Sequence, residues 1–170
     1  MNPLDAQADR LESAVGEILS LRGRVEAAGP WPLAELYGTE AEASWGPPEL
    51  LAHLDEMLPF WLGEVERIID GATDGGEPVP FGRIASDPIR IGVIGRDRTV
   101  PLRELFARLE ADGERVARRM RSLTAREAGF VGLHPTLGPF TVEALFARFA
   151  TGHLEEHLEQ LRGILAARGG

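Results

Sequence analysis

The sequence contains no cysteine. Disulfide bonds, thiolate metal ligands and a cysteine nucleophile are therefore excluded, and any transition-metal site must use His, Asp or Glu side chains. Lysine is also absent, so that all 18 basic side chains are arginine, against 27 acidic ones. The formal net charge of −9 disfavours a polyanionic partner, because affinity for a phosphate backbone comes mainly from Lys and Arg contacts. We therefore expect no nucleic-acid partner.

Long apolar runs are missing as well. Charged residues interrupt every apolar stretch before it reaches membrane-spanning length, and the first residues lack the basic and then apolar order of a signal peptide. We therefore expect a soluble, cytoplasmic protein with no membrane partner. A chain of 170 residues with 44% apolar side chains suffices for one substantial core, so we expect a single domain over residues 1–170.

Apolar residues recur at three- and four-residue steps in four long segments, which predicts four amphipathic helices. The segments are residues 3–27, 47–71, 101–120 and 141–170. The two prolines that open the second segment fit the first turn of a helix. Thr141 can cap the fourth segment, which ends at the terminal glycine pair.

The connection between the second and third segments, residues 71–99, is rich in glycine and proline. Ile89, Ile91 and Val93 alternate within it, which predicts a short extended piece. A connection of this length is typical of a lid or a pocket wall, with disorder around Asp74 as the alternative. A capping-box spacing at residues 124–127 predicts a short helical turn. Together these elements predict an all-α fold, a four-helix bundle with a long crossover between the second and third helices.

Three of the four histidines lie on the apolar faces of predicted helices. His153 and His157 are four residues apart on the fourth helix, which places their Cβ atoms roughly 6 Å apart on one face. His53 lies on the buried side of the second helix, between Leu50 and Met57. The stripe that contains the pair is otherwise apolar: Leu145, Phe149 and Leu161. We therefore expect all three imidazoles to point into the bundle or its mouth.

Three buried imidazoles call for partners, since each unsatisfied polar group costs about 1–3 kcal/mol. Coordination of one metal ion by neutral imidazole nitrogens would remove much of that cost. Three protein ligands with water in a fourth position are typical of an open, catalytic metal site. Two other interpretations stay open on these residues alone: His53 as a hydrogen-bonded packing residue, and the pair His153 and His157 on a solvated helix face.

Two glutamates next to these histidines are candidate catalytic residues. Glu49 lies one turn before His53 and Glu156 lies three residues after His153, so either could orient an imidazole or act as a base on bound water. The alternative for both is a solvated side chain, and Glu49 also suits the positive end of its helix. His134, beside a proline in a turn, is expected to have a structural or pocket-wall role rather than to bind metal.

Three segments resemble the DinB/YfiT-like proteins. Residues 45–54 (Trp-Gly-Pro-Pro-Glu-Leu-Leu-Ala-His-Leu) resemble the Trp-x-Pro-x-Glu-x-x-x-His-Leu opening of that family's second helix. Residues 152–161 (Gly-His-Leu-Glu-Glu-His-Leu-Glu-Gln-Leu) are similar to its closing His-x-x-x-His-x-x-Gln-Leu segment. Residues 134–141 are similar to the His-Pro-x-x-Gly stretch before the last helix. The likeness extends over the whole chain in element order, including the long connection.

The resemblance implies that His53, His153 and His157 are metal ligands, with zinc, nickel or iron as the bound ion. It also implies a metal-dependent enzyme that activates water or a low-molecular-weight thiol, such as bacillithiol or mycothiol, against a small electrophile. The expected activity is thus that of a hydrolase or a thiol S-transferase with a small-molecule substrate. Two alternatives remain: a non-catalytic, stress-associated module that binds a small ligand, and a dimeric scaffold. We expect a homodimer, which is compatible with all three.

Overall fold

The computed structural model describes residues 2–38, 41–73 and 75–169. Asp74, around which disorder was the alternative expectation, lies outside the described residues. So does Gly170, the last residue of the fourth predicted segment. The helices are α1 (Asp5–Ser20), α2 (Arg22–Ala27), α3 (Pro47–Gly71), α4 (Pro88–Asp97), α5 (Leu102–Ser122), α6 (Ala125–Ala128), α7 (Val142–Leu145) and α8 (Gly152–Gly169). A 3₁₀ turn spans Ala41–Ser44, and a π-helical turn, Phe146–Thr151, joins α7 to α8. The strands are β1 (Val79–Pro80), β2 (Val131–His134) and β3 (Gly138–Thr141).

One apolar core lies between the long helices. α1 packs against α5 and α8, and α3 packs against α5 and α8 as well. The core contains fully buried side chains from all four, among them Leu11, Leu54, Leu109 and Leu161. In the part of the chain that the structure describes, the fold is thus mostly helical, as expected. None of the described helices is both long enough and apolar enough to cross a membrane.

The first predicted helix is divided in two. The N–H of Leu21 donates to the carbonyl of Ile18 at 3.0 Å, a bond of the tighter 3₁₀ type that interrupts the α-helical ladder. α1 therefore ends at Ser20, and α2 follows as a separate short helix. Apolar periodicity continues through this point, which is why the sequence predicts one helix.

Helix α3 agrees with its expected bounds. The Gly46 N–H donates to Glu49 Oε2 at 3.2 Å and closes the first turn, where the two prolines need no donor. Pro59 lies inside the helix, where it removes one backbone hydrogen bond. The helix nevertheless continues to Gly71, because burial along most of its length offsets that loss.

The predicted extended piece in the 71–99 connection is wrong, since that segment is helix α4. Asp87 Oδ1 accepts from the N–H of Ile89 at 2.9 Å and of Arg90 at 3.0 Å, and a proline occupies the first helical position. This N-cap starts a helix. Burial follows the helical period, since Ile91 and Ile94 are buried and Ile89 is exposed.

The all-α expectation did not include a sheet, but the structure contains a small one of three strands. β1 pairs in parallel with β2, and β2 pairs antiparallel with β3, where His134 lies opposite Gly138. Strands of two to four residues carry no readable alternation, especially with glycines and prolines inside them. A Cβ on Gly132 would lie 2.6 Å from both Ile68 and Phe81, so a glycine is needed where β2 crosses α3. The sheet joins the 71–99 connection to the segment before α7.

Asp55 is a buried carboxyl group on α3 with no hydrogen-bond partner for either oxygen in the described residues. It is 7% exposed. Burial, followed by the nearby Asp112, raises its pKa from 3.8 to about 8, against a weaker opposing effect of Arg108; Asp97 adds to the rise. The folded chain therefore keeps a proton on Asp55 that the unfolded chain loses above pH 3.8. Stability from this group is present below that pH and is lost as pH rises through about 8.

We predict that Asp55→Asn removes this pH-dependent penalty. The gain in unfolding free energy over wild type should grow between pH 5 and pH 9 to several kcal/mol, because each pKa unit corresponds to about 1.4 kcal/mol. Urea denaturation at pH 5, 7 and 9 measures it. Asp70→Asn, at an exposed position of the same helix, is the matched control and should leave the pH dependence unchanged. An equal effect of Asp55→Asn at all three pH values would contradict the assignment.

Candidate metal centre

The structure brings the three predicted histidines together. His53 comes from α3, and His153 and His157 come from successive turns of α8. The Nε2 atom of His153 lies 3.0 Å from Nε2 of His53 and 3.0 Å from Nε2 of His157. His53 and His157 are buried, and His153 is partly exposed. One nitrogen of each ring thus faces a common point.

Hydrogen bonds between the rings do not account for this arrangement. Each Nε2 has a single in-plane position, which holds either a proton or a lone pair. His153 Nε2 can therefore form a well-directed hydrogen bond with only one of its two neighbours, and the other contact at 3.0 Å is left without one. A cation among three inward lone pairs resolves both contacts. Two imidazole nitrogens on one tetrahedral zinc ion are about 3.3 Å apart, close to the spacing observed.

The outward-facing nitrogens of the α8 pair have acceptors that favour inward lone pairs. His157 Nδ1 lies 2.9 Å from Gln160 Oε1, and His153 Nδ1 lies 3.4 Å from Glu156 Oε2. An oxygen beside Nδ1 holds the ring proton there and leaves Nε2 free to bind a metal. The closing segment thus contains both the rings and the side chains that orient them.

His53 has a more mixed surrounding. Its Nδ1 lies 3.4 Å from Arg90 Nη2, which can only donate, and 4.0 Å from Glu56 Oε2, which can only accept when ionised. A lone pair on the inward Nε2 requires the proton on Nδ1, where Glu56 is the group that can attract it. Glu56 therefore has the same place beside His53 that Glu156 has beside His153.

All three imidazoles are held in the neutral form. Burial is the largest cause of the lowered pKa at each of His53, His153 and His157. Mutual repulsion adds to it, since His157 lowers the pKa of the other two rings. Neutral imidazole is the form that binds a metal ion.

Glu42 completes the cluster and was missed by the sequence analysis. One ligand atom from Glu42 and one from each histidine all lie within 4.8 Å of one another. Arg90 binds Glu42 Oε1 through an ion pair, and Gln160 Nε2 donates to the Glu42 carbonyl at 2.7 Å. The 3₁₀ turn is thereby tied to both α4 and α8. No periodicity or motif marks Glu42, so only the packing of distant segments identifies it.

The two predicted catalytic glutamates occupy different surroundings. Glu49 is fully buried, and its oxygens accept from the N–H groups of Gly46 and Ala34 and from Arg98. These bonds hold the start of α3 to the preceding segment, and Glu49 is not among the side chains that converge on the histidines. Glu156 lies beside His153 with its side chain 62% exposed.

A π-helical turn precedes His153. The turn, Phe146–Thr151, inserts one extra residue into the last helix, and a Cβ on Gly152 would lie 2.7 Å from the Ala147 carbonyl oxygen. Glycine therefore permits the turn to close. Phe149 within the turn stacks on Trp61, with ring centroids 4.4 Å apart.

A cavity of about 290 Å³ opens onto the cluster and includes His53, His153 and Glu42 in its walls. The 71–99 connection contributes Arg83, Ile84, Ala85 and Arg90 to these walls, as expected of a pocket wall. His134 also lines the cavity, with its Nδ1 accepting from the N–H groups of Thr136 and Leu137 at 3.3 Å. Among the described residues it lies outside the cluster of Glu42 and the three other histidines.

Comparison with known proteins places the chain in a family. The model of the DinB superfamily matches residues 5–161, most of the chain. No curated protein and no solved structure matches the chain.

Metal content tests the cluster directly. We predict that untagged wild-type protein retains close to one equivalent of zinc, nickel or iron after dialysis, measured by inductively coupled plasma mass spectrometry. His53→Ala and His153→Ala should each lose it, because two remaining imidazoles bind an ion far more weakly. His134→Ala is the control, since that ring lines the cavity without joining the cluster, and it should retain the metal. Equal metal content in all four proteins would contradict the site.

The π-helical turn gives a second test. We predict that Gly152→Ala lowers the unfolding free energy by about 1–3 kcal/mol, because its Cβ would press on the Ala147 carbonyl. Gly163→Ala on the same helix is the matched control: a Cβ there meets nothing within 4 Å, and stability should rise by up to about 1 kcal/mol. Urea denaturation measures both. A stabilised Gly152→Ala variant would show that the turn does not need glycine.

Proposed function

The chain belongs to the DinB superfamily, and we propose that it is a metal-dependent enzyme that activates water or a low-molecular-weight thiol for attack on a small electrophile. The single observation that carries this proposal is the trio of inward-facing Nε2 atoms beside a cavity. Neutral imidazoles that reach a cavity are the ligand set of an open metal site. The reaction class is hydrolysis or thiol S-transfer.

His53, His153 and His157 would hold the ion, and the Glu42 carboxylate would lie beside it. Zinc, nickel and iron all accept imidazole nitrogen, so the ligand set favours none of them. A bound divalent cation lowers the pKa of water or of a thiol toward neutrality. The chain has no cysteine, so the nucleophile comes from solvent or from a second small molecule.

Glu42 is the group that we assign as general base. Arg90 binds its Oε1 and is itself anchored by donation from Nη1 to the Ala85 carbonyl at 2.9 Å. This ion pair orients the carboxylate toward the histidines and leaves Oε2 to accept the proton of the nucleophile. We therefore assign the role of base to Glu42 on the 3₁₀ turn, and not to Glu49 or Glu156, which the sequence suggested.

The other polar residues act as positioning groups in this proposal. Gln160 and Glu156 hold the ring protons of the α8 histidines on Nδ1. Glu49 fixes the first turn of α3, one turn before His53, and so determines where that ring enters the cavity.

The cavity would also serve the alternative function, in which a small ligand is bound without turnover. Turnover of a substrate by the metal-loaded protein separates the two. A homodimer fits either function, and light scattering tests it.

The enzyme proposal predicts turnover that depends on Glu42. We expect zinc-, nickel- or iron-loaded protein to hydrolyse para-nitrophenyl acetate or to join a small thiol to chlorodinitrobenzene. Glu42→Gln should lower kcat by about a hundredfold or more while the metal content stays unchanged, because it removes the proton acceptor and keeps the shape. Glu159→Gln, at an exposed position of α8, is the control and should keep full activity.

Two outcomes would count against this proposal. Absence of turnover with every metal and both reactions would favour the binding module. Loss of metal together with activity in Glu42→Gln would make Glu42 a ligand and contradict its role as base.

A further inference from the structure

Arg83 is a cavity residue that the proposed reaction does not use. It follows β1 in the 71–99 connection, and its side chain is 11% exposed. Its Cζ lies 3.6 Å from the centre of the Phe60 ring, and its Nη2 lies 2.5 Å from Glu56 Oε1 and 2.6 Å from Oε2. Two contacts with α3 thus hold a buried positive charge rigidly at the cavity wall.

The donors of Arg83 are only partly used. A guanidinium group has five N–H donors on three nitrogens. Both oxygens of Glu56 bind the same nitrogen, Nη2, so Nε and Nη1 have no hydrogen-bond partner within residues 2–38, 41–73 and 75–169. Neither nitrogen is among the fully buried unpartnered atoms, so water or a ligand in the cavity can accept from them. The free donors of Arg83 therefore favour an acceptor inside the cavity.

The charges around the cavity favour an anionic acceptor. The side chains of Arg83 and Arg90 are balanced by those of Glu56 and Glu42. A divalent ion held by three neutral imidazoles would then leave a net positive centre in a partly enclosed space. Charge in such a space is stable only when it is compensated, and an anionic ligand compensates it.

The remaining cavity wall is apolar. Trp61 and Phe149 stack with ring centroids 4.4 Å apart, and His134 stacks on Phe149 at 5.5 Å. Leu137 and Ile84 also line the cavity and are more than half exposed. These surfaces favour an apolar ligand body. A volume of about 290 Å³ is at the lower end for ligand pockets, which limits the ligand to roughly one ring.

We propose that the substrate class of this cavity is a small aryl or alkyl carboxylate, whose carboxylate accepts from Arg83 and whose hydrocarbon part packs on Trp61 and Phe149. The proposal rests on the proposed function, because it makes the electrophile a carboxylate-bearing molecule. Arg83 is then the residue that selects the substrate by charge.

The carboxylate site at Arg83 can be tested by isothermal titration calorimetry with phenylacetate and its neutral isostere phenylacetamide. The titrations use zinc-loaded and metal-free protein. Wild type should bind phenylacetate at least tenfold more tightly than the amide in the zinc-loaded form. The double variant Arg83→Met with Glu56→Gln removes the ion pair without leaving a buried charge, and at unchanged zinc content it should lose that preference. Arg83→Lys should retain part of it. Arg115→Met, at an exposed position of α5, is the matched control and should bind as wild type.

Several results would overturn the proposal. Phenylacetate binding that is equal in wild type and the double variant would place the anion on the metal alone. Equal binding of acid and amide, or no binding by any form, would also exclude a carboxylate site at Arg83. Loss of turnover with retained Arg83-dependent binding would instead count against the enzyme proposal and leave the carboxylate site standing.

Discussion

Three neutral imidazoles, in which Nε2 of His153 lies 3.0 Å from Nε2 of each of the other two, are the constraint on which the rest of the site depends. Nitrogen lone pairs at that spacing repel, and burial denies the rings the water that would otherwise separate them. The surrounding structure therefore has to hold them in place. Gln160 and Glu156 do so within α8, and the two helices are fixed relative to each other by the core between them.

Helix α3 shows two ways of burying a polar group. Glu49, His53 and Glu56 lie on one face of the helix at steps of four and three residues, and each has a charged or polar neighbour within 4.0 Å. Asp55 lies on a different side with neither oxygen partnered, and it avoids the cost of a buried charge by keeping its proton. The same helix thus presents an organised polar surface at the site and an unpartnered carboxyl group away from it.

The 71–99 connection encloses the three-histidine cluster in a cavity. It is anchored at one end by the pairing of β1 with β2 and at the other by the packing of α4 on α3. Arg83 lies between these anchors and Arg90 lies on α4 itself, so both arginines face the cavity from a fixed backbone. Without this connection the histidine cluster would be open to solvent.

Short-range patterns in the sequence account for what could be predicted. The spacing of His153 and His157 follows from the helical repeat, the apolar stripe around His53 shows its burial, and the cap at Thr124 starts α6 as expected. These effects act over about four residues, and the sequence displays them directly. The three-histidine cluster could therefore be inferred before its geometry was known.

Long-range packing decided the remainder. Glu42 lies near His153 only because the 3₁₀ turn folds onto α8, and Arg83 meets Glu56 across 27 residues of chain. The sheet, the π-helical turn and α4 likewise depend on contacts or caps that apolar periodicity does not express. The helices that carry the histidines were thus predictable from local order. Glu42, the arginine pair and the cavity instead arise where segments distant in sequence meet, because no periodic pattern records which segments will touch.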